Sequence, residues 1–424
     1  MTKVAIVGGG AAGMMTAILS AGTDTEIDLY EKNEKCGKKL FITGKGRCNV
    51  TNECTPEDFM RHVITNAKFL YSSIYGYDSQ KVIHFFENCS VPLKVERGNR
   101  VFPVSDHSSD IIRALEREMS AKKVRVHRNT KVQKLLIQDQ KICGIRLENG
   151  TEHSYDMVVV ATGGMSYPST GSDGDGYRFA KEAGHTVTTL RPALVPLETE
   201  EQYIRDLQGL SLKNVSMTIS GKKKPLYEGF GELLFTHYGI SGPLGLTCSS
   251  YIGKSLEEQK LSGWIDLKPA LSDQQLDARL LREFEENKNK QFRNAIHHLF
   301  PAKLIPVMLA IGGIDPDQKV NTISKAQRFS FINKIKHFPF TVTGTRDFRE
   351  AIITQGGISV KEISPATMES KFVQGLYFAG EVLDLDALTG GFNLQIAWST
   401  ANQAAEAVRK KALEMKEKGE KDEL

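Results

Sequence analysis

The sequence predicts an α/β fold built around a glycine-rich, dinucleotide-binding turn and interrupted by a β-rich insertion. Three observations predict it. The apolar run Val4-Ala5-Ile6-Val7 passes directly into Gly8-Gly9-Gly10-Ala11-Ala12-Gly13 and then into a helix-compatible stretch, Met14 to Ala21, giving the order strand, glycine turn, helix. Two later apolar runs of strand length, Met157 to Ala161 and Gly375 to Ala379, lead into Thr162-Gly163-Gly164 and Gly380-Glu381. Between about 190 and 340 the texture changes, with Pro192, Pro196, Pro225, Pro243 and Pro269 punctuating short alternating runs such as Val215 to Ile219, which suits a small antiparallel sheet or barrel.

Taken in order, the second strand candidate, Glu26 to Tyr30, alternates apolar and polar residues and ends at Glu31. The βαβ unit therefore closes within about thirty residues, its usual span. Helices are predicted over Lys81 to Glu87 and Ser109 to Ala121, and short strands over Val124 to Val126 and Ile142 to Leu147. Inside the insertion, Ser272 reads as an N-cap before Leu276, Leu280, Leu281 and Phe284 at helical spacing. Phe292, Ala295, Ile296 and Leu299 follow at i, i+3, i+4 and i+7, giving a helical subdomain over about 270–336. After Gly390-Gly391 a last helix is predicted from Leu394 to Lys411. The expected division is a first segment of one domain at 1–189, an inserted substrate domain at 190–339, and the second segment at 340–424. No fixed-period repeat is evident, which argues against solenoids and propellers.

The 424 residues, 40% of them hydrophobic, suffice for more than one core. Lys and Arg number 55 against 51 Asp and Glu, and the formal charge of +4 is too small to argue for a nucleic-acid or membrane partner. No apolar run approaches the length of a spanning helix, and the first strand begins at Val4 with no room for a signal peptide, so a cytoplasmic protein without a membrane partner is expected. The closing Lys421-Asp422-Glu423-Leu424 spells a retention address read only in a lumen, and is taken as the accidental end of a solvated tail. Six cysteines without a C-x-x-C pair disfavour a disulfide scaffold and a zinc ribbon.

In the glycine turn, Gly8 permits the tight bend, Gly10 lets the backbone approach a pyrophosphate, and Gly13 lets helix and strand pack closely. The helix N-terminus supplies N–H donors and positive dipole to the phosphates, and Glu31 would accept from an adenosine ribose. Alone, this fingerprint fits NAD or FAD. The later strand ends narrow the choice, because Ala161-Thr162-Gly163 and Ala379-Gly380-Glu381 resemble the A-T-G and A-G-E ends that complete the flavin site in FAD-dependent oxidoreductases of the glutathione-reductase-like fold. A helix opened by Gly390-Gly391 and aimed at the flavin N1/C2 carbonyl region would stabilise the anion formed on reduction.

Other patterns fail on spacing. Gly44-Lys45-Gly46 lacks the Ser or Thr and the upstream glycine of a P-loop. Asp173-Gly174-Asp175-Gly176 has Tyr177 where a calcium loop needs a third acid, and reads as a turn and N-cap before a helix at Tyr177 to Ala183; no metal site is predicted. Cys36 and Cys48 are spaced unlike the redox pair of disulfide reductases, and Cys48 reads as packed rather than reactive.

Three longer stretches carry a specific resemblance. Gly37 to Asn52 (GKKLFITGKGRCNVTN), Leu234 to Pro243 (LFTHYGISGP) and Thr389 to Gln395 (TGGFNLQ) resemble the BaiN-like family of NAD(P)/FAD-dependent oxidoreductases, aminoacetone oxidase-like proteins among them, over nearly the whole chain. The resemblance implies a glutathione-reductase-like FAD domain with an inserted β-barrel-like domain carrying a helical subdomain. It implies FAD contacts from Gly8, Gly10, Ala12, Gly13, Glu31, Lys32, Lys39, Arg47, Asn49, Thr162, Gly163, Gly380, Glu381, Gly391, Phe392, Asn393 and Leu394, with the adenine near Val132. His237 is the candidate catalytic side chain, against the plainer role of a hydrogen-bonded loop histidine; Tyr167 and Tyr238 are weaker candidates.

The implied activity is hydride transfer from NADH or NADPH, through FAD, to an activated C=C bond of a small organic molecule, steroid-like enones being the family's example. With no second G-x-G-x-x-G, the nicotinamide nucleotide would bind only transiently at the flavin face. An amine or aminoketone oxidase using oxygen is the first alternative. A flavoprotein associated with tRNA modification is another, which the charge balance disfavours, so no nucleic-acid partner is expected.

Overall fold

The apolar N-terminal run becomes the central strand, Thr2–Val7, of a five-stranded sheet in the order Leu376–Phe378, Met157–Val160, Thr2–Val7, Thr25–Tyr30, Arg125–His127. Every pairing is parallel. Val4, Ala5 and Ile6 are fully buried, as are Val158, Val159 and Val160, which is why these strands read as continuous apolar runs rather than alternating ones. From Val7 the chain enters helix Ala11–Ser20 and returns as Thr25–Tyr30 on one side, while Met157–Val160 and Leu376–Phe378 extend the sheet on the other. The crevice beyond the C-terminal ends of Thr2–Val7 and Met157–Val160 is thus the topological switch point at which open α/β sheets bind ligands.

The described residues, 1–422, divide into two units by their contacts: Met1–Pro192 with the chain from Phe348 onward, and Ala193–Asp347. Glu423 and Leu424, the end of the retention-like tetrapeptide, lie outside them. In the first unit two antiparallel three-stranded sheets flank the parallel one, Val132–Gln138 with Lys141–Leu147 and Glu152–Ser154, and Leu93–Glu96 with Arg100–Pro103 and Thr51–Asn52. The last helix, Phe392–Asp422, is longer than its apolar pattern predicts at both ends and packs on Ala11–Ser20. No helix among the described residues is long and apolar enough to cross a membrane.

The second unit is a closed six-stranded barrel in the order Leu197–Thr199, Gly239–Ser241, Tyr227–Phe235, Ser211–Ile219, Leu261–Asp266, Phe338–Thr345, the last pairing back to the first. Its core joins barrel residues such as Met217, Phe235 and Ile265 to the helices between Asp273 and Lys336. The expected line at 339/340 runs through the closing strand Phe338–Thr345, so the boundary falls after it, at Asp347.

Ser272 caps helix Asp273–Glu286 in a full capping box with Gln275, an arrangement worth about 1 kcal/mol. The helical spacing from Phe292 to Leu299 yields only the short helix Phe292–Ala295. All four apolar residues are buried, so the periodicity records packing of a tight turn, which ends as the chain bends at Ile296 ahead of Pro301.

Candidate functional site

The glycine turn sits at the switch point. Gly8 N–H donates to Tyr30 O (2.8 Å) and Ala161 N–H to Val7 O (2.9 Å), tying the turn to the strands on both sides. Gly13 faces the turn so closely that a Cβ there would lie 1.8 Å from Gly8 O, and helix Ala11–Ser20 could not reach its place with any larger residue. Gly10 is the opposite case. A Cβ there would meet nothing within 4 Å, so the protein's own packing leaves the space in front of this position open.

Glu31 is buried at the end of the second strand. Its Oε2 accepts from Gly9 N–H (2.8 Å), and its Oε1 from Asn33 N–H (2.8 Å) and Nδ2 (2.7 Å). A carboxylate has about four acceptor positions, so one remains for a ribose hydroxyl. Thr130 N–H donates to Glu31 O and Asn129 N–H to Asn33 O, which draws the segment entering Val132 alongside Glu31. Lys32 pairs instead with Asp173 (2.5 Å) and Asp175 (3.0 Å). This corrects the reading of Asp173-Gly174-Asp175: the helix is Asp175–Glu182, its N-cap is Gly174 in the left-handed region, and the two carboxylates serve the Lys32 ammonium.

A second cluster joins residues far apart in sequence. Lys39 Nζ lies 2.6 Å from Glu381 Oε2 and 2.5 Å from Ser166 Oγ. Glu381 Oε1 accepts from Ser166 Oγ (3.1 Å) and Thr354 N–H (2.9 Å), and Thr354 Oγ1 accepts from Met165 and Ser166 N–H. Gly37 N–H donates to Gly9 O, so the helix carrying Lys39, Lys38–Ile42, starts beside the glycine turn. At Gly380 a Cβ would stand 2.7 Å from Ala12 Cβ, placing the Gly380-Glu381 turn against the same helix N-terminus.

The third cluster surrounds the start of helix Phe392–Asp422. Asn52 Nδ2 donates to Gly390 O (3.0 Å), and a Cβ on Gly391 would lie 2.4 Å from Thr51 O. Asn393 clamps Ala387 at both its N–H (3.0 Å) and its O (2.8 Å). Phe392 is buried against His62 and Phe59 with its ring edge beside Gly390, and Leu394 packs against the first core. Asp386, one residue before the clamp, is fully buried; Oδ2 accepts from Gln355 Nε2 (3.1 Å) and Oδ1 has no partner. Burial pushes its carboxyl up to about 6, against the opposing hydrogen bonds from Thr65 and Gln355.

Eight further buried side-chain polar atoms lack a partner among the described residues, and two of them, Asn49 Oδ1 and Thr162 Oγ1, belong to the residues expected to hold FAD. Buried polar atoms are rarely left unsatisfied, so each marks a place where a ligand atom or water completes the structure. With the open face of Gly10 and the free acceptor position of Glu31, the residues present fit a dinucleotide.

In the first unit the Gly8–Gly13 turn thus adjoins Glu31, Thr162 and, through Gly37 and Gly380, the Lys39–Glu381 pair, while helix Phe392–Asp422, which Gly391 precedes, packs on helix Ala11–Ser20. Arg47 does not join them through its side chain: its guanidinium pairs with Glu96 and Asp106 and stacks over Phe102 at 4.1 Å. His237 lies exposed in the second unit, in the turn between Tyr227–Phe235 and Gly239–Ser241, edge-on to Tyr238 at 4.6 Å. Arg346 lies over the Tyr238 ring at 4.8 Å. Cys48 is fully buried and its thiol pushed up to about 12, so it carries no thiolate at neutral pH.

Ser166, Thr354, Asn33 and Asp386 escaped the sequence reading. Ser166 follows the Thr162-Gly163 signal by a few residues and was within reach of it; the other three had no local motif.

Comparison with known proteins agrees with this architecture. The chain is 31% identical over 418 residues to the 3-dehydro-bile acid delta(4,6)-reductase of Clostridium scindens, covering 96% of this chain and 99% of that one. It is 30% identical to a ribosomal RNA dihydrouridine synthase of Haemophilus influenzae, covering 94% and 96%. Among solved structures, 3-ketosteroid delta1-dehydrogenase from Sterolibacterium denitrificans shares the fold, with a TM-score of 0.52 at 13% identity over 97% of this chain and 100% of that one. The HI0933-like protein Rossmann domain matches residues 2–407, and the chain belongs to that family.

Proposed function

We propose that the protein is an FAD-dependent oxidoreductase that adds hydrogen across a C=C bond conjugated to a carbonyl, with NADH or NADPH as reductant. The observation that supports the FAD assignment is the open space at Gly10 in a turn whose Gly9 N–H is held by Glu31, a carboxylate with an acceptor position to spare. Gly8, Gly10, Ala12 and Gly13 would hold the pyrophosphate, Glu31 the ribose and the Val132 segment the adenine. Lys39, Asn49, Thr162, Gly163, Glu381 and the start of helix Phe392–Asp422 would hold the rest. Bound FAD supplies two-electron chemistry, accepting and donating hydride.

The chain's own part is to position charge and exclude water. The N-terminus of helix Phe392–Asp422 presents backbone N–H groups and positive dipole to negative charge. Lys39, held between Glu381 and Ser166, fixes a cation at the Gly380-Glu381 turn. His237 is proposed as a proton donor.

The substrate class follows from the two relatives' chemistry. A Δ4 bond beside a 3-oxo group and the C5=C6 bond of uracil are both C=C bonds conjugated to a carbonyl, so saturation of either places hydride on the β-carbon and a proton on the α-carbon. A small molecule is the first reading. The 30% identity to a ribosomal RNA dihydrouridine synthase favours a second, a uracil base in RNA. Incubating the reduced protein with a steroid enone and with unmodified ribosomal RNA, then identifying saturated product by mass spectrometry, tests both. Saturation of neither would refute the proposal, and oxidation of an amine with oxygen consumption would put the oxidase in its place.

A further inference from the structure

Helix Ser108–Ala121 buries Ile111, Ala114, Leu115 and Met119, and the same periodicity sets Asp110, Arg113 and Arg117 in one row, at i, i+3 and i+7. Both arginines are exposed. Ser108 Oγ donates to Phe41 O (2.7 Å) and Ile112 lies against Gly37, so the row is on the face of the helix turned away from the candidate cofactor cluster. Residues 89–92, which join helix Ser79–Asn88 to strand Leu93–Glu96, face the row across a cleft of about 290 Å³.

The cleft gathers donors. Arg117 Nη2 donates to Cys89 O (2.9 Å), which pins the guanidinium to the far wall and leaves the rest of its N–H fork unspent; no carboxylate pairs with it among the described residues. Arg113 meets Asp110 at 3.4 Å, longer than the about 2.7–2.9 Å of a close charge-assisted bond. Two arginines against one aspartate leave the cleft an excess of positive charge. On its walls, Ser105 Oγ accepts from His107 N–H (3.3 Å), so its own proton is available to a ligand. Ser90 N–H donates to Glu87 O (2.8 Å) and Val91 N–H to Phe86 O (3.0 Å), the paired bonds of a Schellman turn, whose left-handed position usually takes glycine. Ser90 holds that position at φ 62, under strain glycine would avoid, and so places a hydroxyl-bearing residue on the cleft wall.

Two guanidinium forks and two hydroxyls around one small cleft suit a tetrahedral phosphate, whose oxygens point in four directions, whereas a planar carboxylate would occupy a single fork. The volume exceeds what the oxyanion needs, being about ten times the share of one water molecule in the liquid. Val91 and Pro92 add an apolar wall, and Asp110 can accept from a hydroxyl. We propose that this cleft binds a phosphate monoester of a small polyol, with the phosphate on Arg113 and Arg117 and the carbon skeleton between Pro92 and Asp110. The site is separate from the Gly8–Gly13 turn and stands independently of the cofactor reading.

The test is calorimetric titration of the purified, full-length protein in phosphate-free buffer with ribose 5-phosphate, inorganic phosphate and ribose. Ribose 5-phosphate is expected to bind about tenfold more tightly than inorganic phosphate, and ribose not at all, with the affinity falling several-fold between about 0.05 and about 0.5 M salt. Arg117→Gln should weaken ribose 5-phosphate about tenfold, and Arg113→Lys, which keeps the charge but loses the fork, about threefold. Arg61→Gln, an exposed arginine of helix Pro56–Arg61, should leave binding unchanged. Both cleft arginines are exposed, so the Arg113→Gln/Arg117→Gln protein should melt with wild type, which separates lost binding from lost folding. No binding of ribose 5-phosphate at millimolar concentration, an affinity no better than that of inorganic phosphate, or binding that survives the double exchange would overturn the proposal.

Discussion

Gly10 and Gly13 belong to the same turn, yet the structure gives them opposite burdens, and a paired substitution separates cofactor binding from folding. At Gly13 an added Cβ would lie 1.8 Å from Gly8 O and 3.0 Å from Gly8 C, both backbone atoms of the central strand's end. Neither can move without shifting the strand, so Gly13→Ala should destabilise the folded protein by about 1–3 kcal/mol, with or without cofactor. At Gly10 the added atom meets nothing within 4 Å, and φ is −84, open to any residue. Gly10→Val should therefore leave the cofactor-free protein within about 1 kcal/mol of wild type, the cost of a poorer helix N-cap. Its effect should fall on the cofactor, because the new side chain fills the space a pyrophosphate would use. Denaturant melts of both variants after flavin removal, beside the flavin content of each as purified, read the two effects independently. A Gly10→Val protein that keeps a full complement of flavin would refute the reasoning, as would one that fails to fold.

Three further outcomes are expected. Thr162→Val removes an unpartnered buried hydroxyl, so it should leave the flavin-free protein as stable as wild type or about 1 kcal/mol more stable while weakening flavin retention; a clear loss of stability would show that Oγ1 is satisfied. Asp386 has a folded-state pKa raised from 3.8 to about 6, so the stability linked to it is fully present below pH 3.8 and is lost as pH rises through 6. That difference corresponds to about 3 kcal/mol, and Asp386→Asn should flatten this part of the stability profile of the flavin-free protein; an unchanged slope would place the titration elsewhere. His237→Ala should slow turnover without altering the flavin spectrum, and unaltered turnover would return His237 to a surface role.

The central sheet was legible because strands buried on both faces must be apolar without interruption, as Val4 to Val7 and Met157 to Val160 are, and because the turn between strand and helix tolerates only small residues where Gly13 meets Gly8. The barrel was legible only as a change of texture. Its closure depends on Leu197–Thr199 pairing with Phe338–Thr345 across more than a hundred residues, and no local pattern encodes that register. The same limit governs the site. Gly8, Gly10 and Glu31 announce themselves by spacing, whereas the ties of Lys32 to Asp173 and of Lys39 to Ser166 join residues 141 and 127 positions apart. Residue type alone could not separate Arg47, neutralised by Glu96 and Asp106, from Lys45, which has no such partner among the described residues.

The most direct test of the account is a two-step anaerobic stopped-flow measurement on the purified protein with its bound flavin. NADH or NADPH is mixed first, and a steroid enone second. The account predicts rapid loss of the yellow absorbance in the first step and its return in the second, with one saturated product per flavin reoxidised. A flavin that neither nicotinamide nucleotide bleaches, or one that only oxygen can reoxidise, would contradict it.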